Sequence, residues 1–197
     1  MNGKFTYCSV NKPVNYPVVL NYEISDDTYK RWNGFWKVIP RWFVYFMPWI
    51  KNVVYASRSC PDIKKIVTDI KTITKGWPET NVINFIVEFG RSPKYSTDSS
   101  RGLIDYWATA QETLYIGTAD CEDYAILINT LLLECEYDCI FIWMRDHMAC
   151  AVSGDFDGTS FEKNGKKYYY VETVENLEIG KVPSWNEKKV KITINSK

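Results

Sequence analysis

A thiol and an imidazole in one chain suffice for acyl transfer if the fold brings them together. This chain has one histidine, His147, and six cysteines, of which Cys121 stands apart. It lies in Thr118-Ala119-Asp120-Cys121-Glu122-Asp123-Tyr124-Ala125-Ile126-Leu127. Thr118 or Asp120 can cap a helix that begins near Cys121. Unpaired backbone N–H groups and the positive end of the helix dipole then face the sulfur. That setting favours the thiolate, which is the nucleophile. The same N–H groups can hold an oxyanion. Glu122 and Asp123 suit the dipole but would oppose ionisation if aimed at the sulfur, so they are expected to point away. His147, directly after Arg145-Asp146, opens a strand-like segment. Its ring can take the thiol proton and return it to a leaving amine. The expectation is a Cys121 sulfur within roughly 4 Å of a His147 ring nitrogen.

A third group should orient the imidazole. Glu172 lies in Tyr168-Tyr169-Tyr170-Val171-Glu172-Thr173, where alternation puts Tyr168, Tyr170 and Glu172 on one strand face. Asp146, Asp155 and Asp157 are rival carboxylates, although Asp146 is adjacent to His147 in sequence, so on a strand it points the other way. Trp107, with an indole N–H, and Gln111, with an amide N–H, are candidates for a second oxyanion donor or a substrate contact. No pair of cysteines is spaced as CxxC, so a zinc ribbon is not expected. Asp155-Phe156-Asp157-Gly158 lacks the remaining acidic positions of a calcium loop and reads as a tight turn. No metal and no cofactor is expected.

The elements that must position these groups follow from patterning. Cys121 to Glu134 reads as a helix whose Ala125, Ile128 and Leu132 continue a core-facing stripe behind the thiol. Asp138 to Met144 and His147 to Ser153 read as strands, Lys166 to Thr173 as a third and Lys188 to Ile194 as a fourth. A helix followed by several strands is an α+β order. Upstream, Pro61 opens a helix through Ile63, Ile66, Val67 and Ile70, and a second helix follows Pro78 and ends at Gly90. Residues 91–101 form a polar loop. Residues 1–30 look extended, with Ser25-Asp26-Asp27 as a turn or helix cap.

These residues carry a resemblance. The order Cys, His, acidic residue, with the cysteine at a helix start and the others on successive strands, resembles the transglutaminase-like superfamily of papain-type folds. Tyr106-Trp107-Ala108-Thr109-Ala110-Gln111-Glu112-Thr113-Leu114 followed by Asp120-Cys121-Glu122-Asp123 is similar to the lead-in and nucleophile motif of archaeal and bacterial transglutaminase-like cysteine peptidases. So are His147-Met148-Ala149, Gly154-Asp155-Phe156-Asp157-Gly158 and Asn164-Gly165-Lys166-Lys167 running on to Thr173. The likeness spans roughly residues 80–185. It departs from the pattern at Ala119, where many relatives carry glycine, and at Glu172, where much of the superfamily carries aspartate. The resemblance implies a papain-like core in which the catalytic helix packs on an antiparallel sheet. It implies cleavage of an amide, peptide or isopeptide bond through a thioester on Cys121. The substrate would be a peptide, a protein or a peptide-bearing polymer. Alternatives are acyl transfer to a lysine amine, as in a crosslinking transglutaminase, and a non-catalytic structural or binding module, for example a viral protein, that retains the fold.

Composition sets the outer bounds. The chain of 197 residues is long enough for one domain with a proper core. Its 24 basic and 24 acidic residues cancel, which argues against a nucleic-acid partner. The uncharged run Trp42 to Ile50 is interrupted by Pro48 and is far shorter than the ~20 apolar residues of a membrane span. With no secretory signal at the start, reduced cysteines and a cytoplasmic setting are expected. Residues 1–60 read as an N-terminal extension packed on a catalytic domain of residues 61–197, one compact domain in all. The extension is rich in rings between residues 31 and 56, in short pieces broken at Pro40 and Pro48. Trp36, Phe43 and Phe46 are expected to be buried against the core.

Overall fold

A computed structural model of the chain describes residues 1–8, 17–32, 48–103, 106–144, 146–185 and 193–195, and the structural statements below concern these residues. The chain opens with an antiparallel hairpin of β1 (Asn2–Tyr7) and β2 (Val18–Glu23), in register from Asn2↔Glu23 to Tyr7↔Val18. Ser25 then caps α1 (Asp26–Trp32), its hydroxyl accepting from the Thr28 N–H at 3.1 Å. The aromatic positions Trp36, Phe43 and Phe46 lie outside the described residues.

Three helices follow: α2 (Pro48–Ser59), α3 (Pro61–Ile73) and α4 (Glu79–Gly90). The last two match the sequence pattern. The first corrects it: Pro48 does not break a segment but begins a helix, as its fixed φ and missing N–H permit in a first turn. Ile50, Val53, Val54 and Ser57 recur at helical spacing along it and are all buried. The loop expected over residues 91–101 contains a short strand, β3 (Lys94–Tyr95), and a single 3₁₀ turn, Asp98–Arg101. Helix α5 (Ala110–Ile116) and β4 (Thr118–Ala119) come next, with β4 parallel to β3.

Helix α6 (Cys121–Glu134) is central. Ala125, Ile126, Leu127, Ile128, Leu131 and Leu132 are all fully buried, so the helix is apolar around most of its girth. It packs on α2, α4 and α5 on one side and on the sheet at the other. Gly90 allows the closest approach, because a Cβ there would meet Ile128 Cγ1 at 2.4 Å.

The sheet contains β5 (Cys139–Met144), β6 (His147–Val152), β7 (Ser160–Lys163), β8 (Lys166–Val171) and β9 (Thr193–Asn195), in the order β7-β8-β6-β5-β9. Every neighbouring pair is antiparallel. Alternation sends Cys139, Met148, Cys150, Val152, Tyr169 and Val171 toward the helices. The opposite set, which includes Ile140, Ile142, Met144, Tyr168 and Tyr170, forms a second apolar layer with Val182. Strand β7 was missed in the sequence. It returns on β8 through Asn164-Gly165, both with positive φ (52° and 72°), the two-residue turn that matches strand twist. The architecture is α+β, with helices gathered on one face of an antiparallel sheet. Among the described residues, no helix is long and apolar enough to cross a membrane.

Candidate active site

Cys121 is the first residue of α6, and Asp120 is its N-cap. Asp120 and Asp123 form a reciprocal capping box, each carboxylate meeting the other's backbone N–H. Asp123 also accepts from the Ala108 N–H at 2.7 Å. Both capping carboxylates converge on Arg101, whose Nη2 lies 2.6 Å from Asp98, 3.3 Å from Asp120 and 2.9 Å from Asp123. Three acids thus share one guanidinium. Burial and mutual repulsion raise Asp120 and Asp123 above the carboxylate range, against the pull of Arg101.

Asp123 therefore points away from the sulfur, as expected. Glu122 does not. The Cys121 thiol donates to Glu122 Oε2 at 2.8 Å. Burial, then the charge of Glu122 and that hydrogen bond, push the thiol well above its ordinary range. The Met148 backbone N–H, hydrogen-bonded to the sulfur, acts in the opposite sense. The helix dipole alone does not decide the thiol's state, because a carboxylate in contact outweighs partial charges spread over a turn.

The Met148 contact brings β6 to the Cys121 sulfur, and His147 is the residue before it. No hydrogen bond joins the His147 ring to Cys121 directly. His147 Nε2 lies 2.9 Å from Glu172 Oε1 and 3.3 Å from Oε2. Glu172 follows β8 and has no exposed surface. Its carboxylate also accepts from the Tyr170 hydroxyl at 2.7 Å and from the Thr173 and Val174 N–H groups at 3.0 Å each. Burial would raise this carboxyl, but His147 and the other donors prevail and bring it down to about 2. An ionised Glu172 accepts from the ring at Nε2, so the other ring nitrogen, Nδ1, is not engaged by this carboxylate. Arg91, just past α4, donates through Nε at 2.8 Å, and through Nη2, to the Glu172 carbonyl, and through Nη1 to the Leu177 carbonyl at 3.0 Å. The backbone at Glu172 and in the turn that follows it is thereby pinned. Trp185 sets its ring against His147 edge to face, with centroids 5.2 Å apart.

Trp107 and Gln111 are buried, and neither the indole N–H nor either polar atom of the Gln111 amide has a hydrogen-bond partner among the described residues. Trp107 leans on Trp143, with ring centroids 5.5 Å apart. No hydrogen bond joins either residue to Cys121 or His147. The rival carboxylates Asp146, Asp155 and Asp157 are all exposed. All six cysteines are free, with Cys135, Cys139 and Cys150 buried. Arg101, Arg91 and Trp185 carry no signal for these roles in the sequence, since Arg91 and Trp185 act on partners distant along the chain and Arg101 reaches Asp120 and Asp123 as well as its near neighbour Asp98. Tyr170 was legible from alternation with Glu172.

No family model matches the chain, and no curated protein does. Among solved structures, the chain is similar to calcium-bound LapG of Legionella pneumophila at 16% identity and a TM-score of 0.48, over 73% of this chain and 81% of that one. LapG of the same organism in a second structure, and in an EGTA-treated one, give the same identity and score over 74% of this chain. A likeness of this size says nothing about residue roles or activity.

Proposed function

We propose that the chain is a thiol-dependent hydrolase of amide, peptide or isopeptide bonds, a transglutaminase-like cysteine peptidase. Residues 61–197 form its catalytic domain and residues 1–60 an extension packed on it. One observation carries the reading. Neighbouring residues of β6 serve the same centre: the Met148 N–H reaches the Cys121 sulfur while the His147 ring is held by a buried, ionised Glu172. Cys150, by contrast, is fully buried and spends its sulfur on the Asn129 side-chain amide at 2.6 Å and the Ala125 carbonyl at 3.5 Å.

In this reading His147 Nδ1 takes the thiol proton, and the thiolate attacks the carbonyl carbon. The oxyanion meets backbone N–H groups at the start of α6. The imidazolium gives its proton to the leaving amine as the C–N bond breaks, which leaves a thioester. Water, deprotonated by His147, then releases the acid. Glu172 orients the ring and stabilises its cationic form. The substrate is a peptide or protein chain able to reach Cys121. The calcium named for LapG belongs to that protein. Here the carboxylates Asp98, Asp120 and Asp123 pair with Arg101, and the steps above call only on groups of the chain itself.

Turnover of peptide and isopeptide substrates by single variants tests this. Cys121→Ala should abolish it and His147→Ala should be nearly as severe, because the chain has no second histidine. Glu172→Gln should be milder, and the losses should not add. Full activity in a folded Cys121→Ala protein would sink the mechanism. Incorporation of an added amine in place of water would identify acyl transfer instead.

A further inference from the structure

The two oxygens of Glu172 are held differently. Oε1 accepts from the Thr173 and Val174 N–H groups at 3.0 Å each and lies 2.9 Å from His147 Nε2. Oε2 lies 3.3 Å from the same Nε2 and accepts from the Tyr170 hydroxyl at 2.7 Å. Backbone bonds fix only the first oxygen, and the last torsion of a glutamate is soft enough to swing the second. The strand register shows why a second tether matters. Extending it one residue past Cys150↔Val171 sets Glu172 opposite Ala149, so that His147 is its diagonal neighbour two residues along β6. Only a long side chain spans that diagonal, and a long side chain has several ways to span it. Tyr170, two residues back on the same face, removes that freedom. Both side chains are without exposed surface, so water does not compete for the bond.

The other charged or titratable groups around the pair are engaged elsewhere or exposed. Arg91, just past α4 and beside Glu88, donates to the carbonyls of Glu172 and Leu177. Cys150 of β6 meets Asn129 and Ala125, and Cys121 of α6 donates to Glu122. Asp146 is exposed, and Glu175 accepts from Trp185.

We propose that Tyr170 is a positioning residue of the catalytic centre: its hydroxyl holds Glu172 Oε2 away from the imidazole and shares the carboxylate's charge with it. Its catalytic consequence rests on the hydrolase reading of Cys121 and His147. Without the hydroxyl, both oxygens can close on the ring, and the full charge favours the imidazolium. Glu172 stays ionised near neutrality even at its ordinary 4.5. The ring must be neutral to take the thiol proton, so the acid limb of the activity profile moves to higher pH.

Tyr170→Phe in the full chain removes the hydroxyl and keeps the ring. Because the chain has one histidine, its ring titration can be followed by NMR without assignment of others. The midpoint should rise by about one pH unit in Tyr170→Phe. The acid limb of kcat/KM for a peptide substrate should move with it, giving roughly tenfold less turnover below the limb and little change above it. In a Glu172→Gln background, adding Tyr170→Phe should leave the midpoint where Glu172→Gln alone puts it. A ring-fluorinated tyrosine at this position keeps the hydroxyl as a stronger donor, and should move the midpoint down if Tyr170→Phe fails to fold. An unmoved midpoint would overturn the proposal, and so would an equal shift in the Glu172→Gln background. A loss of turnover uniform across pH would mark a merely structural role and overturn it too. Turnover surviving in Cys121→Ala would defeat the hydrolase reading, while the NMR titration would still decide whether Tyr170 acts on His147 through Glu172.

Discussion

At the scale of the residue, the best-defined group is Glu172. Its carboxylate is fully buried, accepts from Tyr170, Thr173 and Val174, and faces His147. Its folded value lies near 2, below the ordinary 4.5, so the folded state binds fewer protons than the unfolded chain across that interval. The stability it adds is complete above the ordinary value and is lost as pH falls toward 2. Glu172→Gln should therefore cost about 2 kcal/mol near neutrality and progressively less in acid. Urea titrations of both proteins at pH 7 and near pH 3 measure this, and a gap that widened in acid would contradict it. The sequence named Glu172 because alternation set it on the face of Tyr170. It could not reveal the Thr173 and Val174 N–H groups, which depend on how the chain turns after β8. Nor could it orient Glu122, since a helix's first turn leaves several rotamers open and the neighbouring sulfur decides among them.

At the scale of the element, the start of α6 is stabilised and stressed at once. Asp120 and Asp123 cap it, but with Asp98 they crowd around one arginine. A carboxyl raised by folding makes the folded state bind more protons than the unfolded chain, so stability falls as pH rises above the ordinary value of 3.8. Asp120→Asn keeps an oxygen for the Asp123 N–H and removes one repelling charge. It should be about 1 kcal/mol more stable than the parent near pH 8, with the advantage fading in acid. Thermal melts across pH would show it, and a loss of stability at pH 8 would mean that the Arg101 bridge outweighs the repulsion. Long periodic elements were the legible ones. Helix α6 runs from Cys121 to Glu134 in both sequence and structure, and α4 ends at Gly90 as expected. What escaped was short or opened by proline. Strand β7 has only 4 residues, and β3 and β4 have 2 each, too few for any period to register. Helix α2 was hidden because Pro48 reads as a break when its only fault is a missing N–H that a first turn does not need.

At the scale of the molecule, the open question is whether the N-terminal hairpin is a passenger or part of the core. Its contacts favour the second. Phe5 packs on Phe85 and Phe89 with ring centroids 5.6 and 5.4 Å away, and Tyr7 meets Phe85 at 5.2 Å. Tyr22 meets Phe89 at 5.4 Å. Tyr7, Leu20 and Ile24 are almost without exposed surface. Polar ties run the same way: the Ser25 N–H donates to Asp62 at 2.9 Å, and Tyr29 stacks on Tyr115 with centroids 3.9 Å apart. Helices α3 and α4 would lose this cover if the chain began at Pro48, and Phe85 and Phe89, now fully buried, would face water. Each large apolar side chain so exposed costs about 1.5–3 kcal/mol, and the hairpin contributes several of its own. The sum rivals the ~5–15 kcal/mol that holds a typical domain together. A protein lacking residues 1–47 should therefore be insoluble, or soluble with dye-binding apolar surface and a broad, uncooperative melt. The informative comparison is with Phe5→Ala in the full chain, which removes one ring and leaves the hairpin in place. That variant should stay folded and active but lose about 1–2 kcal/mol, less than a fully buried phenylalanine does on truncation, because Phe5 is only partly buried. A truncated chain with a sharp melt and normal turnover, alongside an unperturbed Phe5→Ala protein, would show instead that the first 47 residues form a separable module.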